Sequence, residues 1–192
     1  MDQAYQTKTM LSNALKTLMQ EKPFNKITIR DLTETCGLQR QTFYYHFQDI
    51  YALLEWTYHE EVLSLVADYD SPSSWFDATL KVLYFIKDND EICLNALQSM
   101  GRKQLYNFFY KDFFLIYTRM FKEIAKPVNP DDKFIEFISE MMVFGTQGYI
   151  MKWIESGLNE SPEQILEWFK TVIEAATLSI ATNQANTAGK KS

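Results

Sequence analysis

The stretch Thr28–Phe47, TIRDLTETCGLQRQTFYYHF, constrains this chain more than any other. It divides at Gly37 into two short helical runs. Runs of that length do not hold a helix alone in water, because nucleating the first turn costs more than the few later hydrogen bonds return. They must pack on each other and on a further element. Thr28 is expected to cap the first run, with Asp31 three residues on as its capping-box partner. Gly37 is expected at the C′ position, where a positive φ is needed. Two short helices joined by a tight glycine turn form the helix-turn-helix pattern. Leu32 and Cys36 then lie on the inner face of the first helix. Thr33 is the small residue at the crossing, and Leu38 and Phe43 anchor the second helix.

The second helix has a face left over, since Arg40, Gln41, Thr42, Tyr44, Tyr45 and His46 cannot all point inward. Arginine binds guanine bidentately and glutamine does the same for adenine. Thr, Tyr and His donate to phosphates and set register. A tyrosine joins an apolar ring to a hydroxyl tip, which suits a groove that is part sugar and methyl, part phosphate. Such a helix lies in the major groove with its N-terminal residues at the bases. The alternative is a small helical subdomain with an aromatic edge buried against the rest of the chain.

The remaining pattern is helical throughout, and six Gly and five Pro are few punctuators for 192 residues. Residues 6–21 place Met10, Leu11, Ala14, Leu15, Leu18 and Met19 at helical spacing, and Pro23 ends the run. Asp49 is expected to cap a long helix from Ile50, broken at 68–73. Ser74 with Asp77 reads as a capping box opening a helix to about Lys87, and Asn89 as the cap of one ending near Met100. Residues 102–125 form the next helix. Asn129-Pro130 reads as a cap and first-turn pair for a helix to Ser156, and Ser161-Pro162 starts a last one reaching about Ala181. The expected fold is all-α with about nine helices. Its domains are a helix-turn-helix domain at 1–48, a larger C-terminal helical dimerisation and effector domain at 49–183, and a disordered tail at 184–192.

Charge and composition narrow the function. The net charge is −6, but residues 1–56 hold six basic and six acidic side chains, so the whole excess sits beyond them. A neutral head on an acidic body permits a DNA-binding end. Cys36 and Cys93 offer neither a metal-ligand spacing nor a disulfide framework, and reduced thiols are expected. The start, MDQAYQTKTM, lacks a basic segment followed by an apolar one, so no signal peptide is expected. No apolar run reaches the length of a membrane span, and a cytoplasmic location with no membrane partner is expected. His46 and His59 have no ligand constellation, and HEE at 59–61 is not a zinc-protease motif. With no phosphate loop and no nucleophile elbow, no enzyme, cofactor or metal is expected.

Residues 7–56 resemble the DNA-binding domain of the TetR family of transcriptional regulators. The resemblance runs through TKTMLSNALKTLM, then Thr28 to Thr33 matching T-x-x-[IL]-[AT], then Gly37. It continues in Thr42-Phe43-Tyr44-Tyr45-His46-Phe47, matching T-[LF]-Y-x-[HY]-F, and in the pair Leu53-Leu54. It implies a homodimer that binds a palindromic operator in double-stranded DNA. By this resemblance Arg30 and Arg40 read bases, with Gln39 and Gln41 as secondary candidates. Thr42, Tyr44, Tyr45 and His46 hold the backbone, and Thr28 completes the contact set. One position departs from the pattern: the family often has Lys where Ile50 stands, beside Asp49. Non-specific affinity is therefore expected to be weaker, with Lys8, Lys22 and Lys26 as partial compensation. The string QTFYYHFQDIYALLEW is also similar to a TetR subgroup found with dihydroxyacetone kinase operons, some of whose members activate transcription.

The resemblance further implies a dimer built from the last two long helices. Phe137, Met141, Phe144, Gly145, Gly148, Tyr149 and Ile173 are the candidate contacts. Helical glycines cost about 1 kcal/mol each relative to Ala, which close helix approach would justify. Twelve aromatics lie between Trp75 and Phe121. Tyr84, Phe85, Phe109, Phe113 and Tyr117 are candidates to line an apolar pocket, with plain core as the competing reading. Control by a small-molecule effector and control by a co-regulator protein both stay open.

Overall fold

The computed structural model describes residues 2–66, 72–126 and 131–188. The described residues form nine helices and no strand, counting one helix through its π-helical turn. They are α1 (Gln3–Glu21), α2 (Ile29–Cys36), α3 (Arg40–His46), α4 (Ile50–Tyr58, prolonged by the π-turn His59–Leu63 and by Ser64–Val66), α5 (Pro72–Asp88), α6 (Asp90–Met100), α7 (Arg102–Ala125), α8 (Asp132–Glu155) and α9 (Pro162–Ala188). A 3-10 turn, Phe24–Lys26, leads from α1 into α2. The all-α fold expected from the periodicity is the fold that forms.

The chain divides into two compact units, Met1–Ala67 with Asp88–Phe108, and Asp68–Lys87 with Phe109–Ser192. In the first, α1 is the hub and packs on α2, α3, α4 and α6. Its buried stripe is Leu11, Ala14, Leu15, Leu18 and Met19, at the helical spacing of the sequence. Leu32, Phe43 and Leu53 close over it with no exposed surface. Each such side chain contributes about 1.5–3 kcal/mol by leaving water. One polar pair is built into this core: the buried Thr57 hydroxyl donates to Ser12 Oγ at 3.0 Å and so ties α4 to α1.

The local signals around the glycine turn are realised as bonds. Thr28 Oγ1 accepts from the Asp31 amide at 3.2 Å, and the Asp31 carboxylate accepts from the Thr28 amide at 2.8 Å. At the other end of α2, Gly37 has φ +66°. Leu38 N–H reaches Thr33 O at 2.8 Å and Gly37 N–H reaches Glu34 O at 3.3 Å, which is a complete Schellman closure. Asp49 caps α4 by accepting from the Ala52 amide at 2.8 Å.

Helix starts in the second half differ from expectation. α5 begins at Pro72, so Ser74 lies inside the first turn instead of capping it. Proline suits the first helical position, where its missing N–H would be an orphan in any case. α8 is capped by Asp131, which accepts from the Lys133 amide at 3.1 Å, and not by the Asn129-Pro130 pair, which lies outside the described residues. A carboxylate at the positive end of a helix is favoured by the dipole. Asn89 holds the cap position of α6 without a side-chain capping bond. The break expected at 68–73 falls largely outside the described residues, and α9 runs on to Ala188, beyond the expected stop near 181. Of the tail expected to be disordered, residues 189–192 lie outside the described residues.

The second unit buries Trp75, Tyr117, Phe121, Val143, Trp153, Ile165 and Ile173. Trp75 and Tyr117 pack with ring centroids 5.8 Å apart. The Trp153 indole donates to Glu160 O at 3.1 Å across the α8–α9 turn. Gly157, at φ +85°, makes that turn, as its place after the helix implied.

Candidate nucleic-acid interface

The recognition-helix candidate α3 is sorted by burial into two faces. Phe43 is fully enclosed, with its ring 5.7 Å from Tyr44 and 5.9 Å from Phe47. Phe47 is buried and Leu38 half-buried, so the anchors face the core as the spacing implied. Tyr45 is 83% exposed and Tyr44 58%. Gln39, Arg40 and Gln41 are exposed as well, and Thr42 and His46 are half-buried. His46 rests edge-on against Tyr45, with centroids 4.9 Å apart. Thr28 and Arg30 are exposed on the first turn of α2 and its cap. Two adjacent tyrosines are held out in water by a helix whose other face is locked in place, with edge contacts to Phe43 and His46 on the same helix. Exposed aromatic rings with a polar tip are the kind of surface that marks an interaction site.

The electrostatics of the head differ from what residue counts suggest. Lys16 pairs with Glu61 at 2.5 Å, Lys22 with Asp31 at 2.7 Å and Arg30 with Glu34 at 2.6 Å. Lys8 lies 5.7 Å above the Phe47 ring and 5.8 Å from that of Trp56. Of Lys8, Lys22 and Lys26, expected as partial compensation for the lysine absent at 50, the first two are engaged within the head. Among the described residues only Lys26 and Arg40 of this region's cations carry neither an ion pair nor a ring contact. The Arg30–Glu34 pair is well exposed on both sides. Such pairs are worth about 0–1 kcal/mol, so a phosphate or base edge can displace Glu34 at small cost. Asp49, beside the position where the family pattern is often basic, has a local role of its own, because it caps α4.

Lys22 and the Thr28 amide and hydroxyl hold the Asp31 carboxyl down to about 2 from its usual 3.8. A depressed carboxyl adds stability above its unfolded pKa and loses it as pH falls through the folded value. The head is therefore expected to shed this cap between about pH 4 and pH 2, and Asp31→Asn to flatten the dependence there. Acid titration followed by circular dichroism checks this. An identical profile for the variant would refute it.

The candidate dimer residues divide. Phe137, Met141 and Phe144 on α8 are each more than half exposed, and Phe134 continues their stripe one turn earlier. Trp168 and Val172 are exposed on α9. Gly145 and Gly148 are exposed, and a Cβ at either would meet nothing within 4 Å in this chain. Tyr149 is half-buried against Trp168 and Phe169 of α9, with centroids 6.1 and 6.0 Å away. Ile173 is the exception, being 2% exposed and enclosed by its own unit, so it is a core residue and not part of the apolar stripe.

The candidate pocket residues do not share one environment. Tyr117 is core, and its hydroxyl meets Thr146 Oγ1 at 2.6 Å. Burial pushes this phenol well above the usual range, and the Thr146 bond offsets that only in part. Tyr84 is exposed and donates to Glu163 at the surface. Phe109 and Phe113 meet edge-on at 6.4 Å, and Phe85 is half-buried. Beside Thr146, the buried amide of Gln147 has no hydrogen-bond partner among the described residues on either atom. The residue that periodicity did not single out is Asn95, on α6 and far from the helix-turn-helix in sequence, which hydrogen-bonds the end of α1. A lone Asn on a helix carries no pattern that would have revealed this.

Among the described residues no helix is long and apolar enough to cross a membrane. Residues 11–56 match the family described as bacterial regulatory proteins of the tetR family. Residues 73–175 match a TetR-type family described as the transcriptional regulator C-terminal region. The HTH-type dhaKLM operon transcriptional activator DhaS of Lactococcus lactis subsp. lactis (strain IL1403) is 30% identical over 83 residues, 43% of this chain. That match spans 44% of the relative's own length. A solved structure described as the dihydroxyacetone kinase operon activator DhaS superposes with a TM-score of 0.72 at 21% identity, covering 89% of this chain and 96% of that one. At that identity the likeness is one of fold. Matched over its N-terminal helices and over more than half its length beyond them, the chain belongs to the TetR family of bacterial transcriptional regulators.

Proposed function

We infer that the chain binds a palindromic operator in double-stranded DNA as a homodimer, with α3 in the major groove. The observation that carries this reading is the outer face of α3. Arg40, Gln41, Tyr44 and Tyr45 stand in solvent on a helix whose Phe43 is locked in the core. Arg40 is the leading base-reading residue, because no carboxylate among the described residues holds it back. Arg30 joins it after leaving Glu34. Thr28, Gln39, Thr42 and His46 border the same surface. Two copies meeting through the exposed stripe of α8 and α9 would present two such helices related by a two-fold axis, which a palindrome mirrors. The similar proteins are described as the dhaKLM operon transcriptional activator and the dihydroxyacetone kinase operon activator, and we read this chain as an activator of an operon of that kind.

Fluorescence anisotropy with a duplex from the region upstream of the chain's own operon tests the reading. Arg40→Ala is expected to weaken binding by about 1–3 kcal/mol, as for an arginine paired with guanine. Adding Tyr44→Ala should weaken it further. Wild type binding no better than this double variant would sink the proposal.

Control at the C-terminal unit has two readings. The buried Gln147 amide, without a partner among the described residues, favours a small polar effector, which would supply its missing donor and acceptor. A co-regulator protein is the second reading, supported by the acidic charge of the chain beyond residue 56. A thermal shift of the isolated protein with dihydroxyacetone separates the two, since a protein-controlled regulator would show none.

A further inference from the structure

We propose that Asn95 is a positioning residue for operator recognition, an inference that rests on the DNA-binding reading above. Asn95 stands in the middle of α6 and is half-buried. Its amide nitrogen donates to Met19 O at 2.5 Å and to Lys22 O at 2.8 Å. Its carbonyl oxygen accepts from the Phe24 amide at 2.8 Å and from Ser99 Oγ at 3.0 Å. A carboxamide has two N–H donors and can accept two bonds on its oxygen, so its capacity is fully used.

Three of the four partners are backbone groups at the end of α1 and just beyond it. The last four carbonyls of a helix have no intrahelical donor. α1 ends on a backbone cap, Lys22 N–H to Leu18 O, and Pro23, at the start of the 3-10 turn, makes no side-chain capping bond. The corner that sets how α1 leads into α2 is therefore held by a side chain more than 70 residues away. An open groove of about 520 Å³ flanks it, lined by Met19–Pro23 and by Glu91, Leu94, Asn95, Gln98 and Ser99. Without the amide, these groups would face water and the corner could swing.

The restraint continues into the reading head. Lys22, whose carbonyl Asn95 holds, pairs through its ammonium with Asp31 at 2.7 Å. Asp31 in turn accepts from the Thr28 amide at 2.8 Å, at the cap of α2. An unbroken set of polar contacts thus runs from α6 through Lys22 and Asp31 to the start of the helix on which α3 is docked. Asn95 touches no DNA in this scheme; it acts by holding the angle at which α2 and α3 are carried.

The test uses the full chain and the upstream duplex. Asn95→Asp keeps the acceptors but loses both donors and sets a carboxylate against two carbonyls. It is expected to weaken operator binding about tenfold at a temperature where circular dichroism shows wild-type helix content, within the range carried by polar networks. Hydrogen exchange at the Phe24 amide should quicken by a similar factor. A looser corner should also tolerate duplexes whose half-sites are moved apart by a single base pair, which wild type rejects. Asn95→Ala gives the same readouts should the aspartate variant lose helix. Leu97→Ala, a buried apolar truncation on the same helix, is the control for mere destabilisation. It should lower the melting temperature while leaving affinity and spacing preference unchanged in the folded protein. Asn95 variants that bind and discriminate like wild type, or a Leu97→Ala protein that loses as much affinity, overturn the proposal alone. A wild type that binds no operator overturns the DNA-binding reading and this proposal with it.

Discussion

Phe43→Ala is expected to cost the N-terminal unit about 3–5 kcal/mol, the usual range for truncating a fully buried phenylalanine. The ring has no exposed surface and sits between Tyr44 and Phe47. Its removal leaves a cavity under a helix of seven residues, which is too short to keep its place by backbone bonds alone. Tyr44 and Tyr45 would lose the base on which they stand. Urea denaturation followed by circular dichroism should show an early transition for the head, and operator binding should vanish at temperatures where the rest of the chain keeps its helix. Phe43→Leu, nearer in volume, should cost less than about 1.5 kcal/mol. A loss below 1 kcal/mol for the alanine variant would mean that α3 is held by something other than this ring.

Phe137→Glu combined with Phe144→Glu is expected to turn a dimer into a monomer. Both rings are 58% exposed, and with Phe134 and Met141 they form an apolar stripe along α8. Contiguous exposed apolar surface of this kind marks an interaction site. Gly145 and Gly148 lie on the same exposed side, and nothing in their own chain requires the missing Cβ. A second copy packed close against them would supply the reason that the protomer lacks. Two charges buried in such an interface without partners are strongly destabilising. Light scattering after size exclusion should give the mass of two chains for wild type and of one for the variant. Operator affinity should fall by about a hundredfold or more, because the second half-site would no longer be bound intramolecularly. A variant that stays dimeric would place the interface elsewhere.

The parts of the fold that were legible in the sequence are those whose causes lie within a few residues. Thr28 and Asp31 satisfy each other's backbone groups, and Gly37 is the residue for which positive φ is free of strain. Asp49 and Ser161 accept from amides three residues ahead. Where two local signals compete within a few residues, the pattern alone does not rank them. Pro72 outweighed the Ser74 signature, and Asp131 served as cap where Asn129 had been expected. The outer face of α3 was legible too, because a seven-residue helix carrying both a core phenylalanine and a run of polar and aromatic groups can satisfy them only by presenting two faces.

Other features depend on residues brought together from far apart. Counting charges made the head neutral, but only the folded chain showed that Lys16, Lys22 and Arg30 are already paired and Lys8 laid over rings. Ile173 shared the helical pattern of an interface yet turned inward, since a periodic stripe does not say which of two apolar neighbours will cover it. Tyr117 and Tyr84 were alike as aromatics in sequence and opposite in surroundings. The sequence by itself determined the all-α fold, the helix-turn-helix and the faces of its second helix, because backbone capping and side-chain period act locally. Only the tertiary structure decided which cations stay available to DNA and that Asn95 of α6 holds the corner of the reading head. The Lys16–Glu61 pair and the bonds of Asn95 to the end of α1 join residues more than forty positions apart, which folding alone brings within bonding distance.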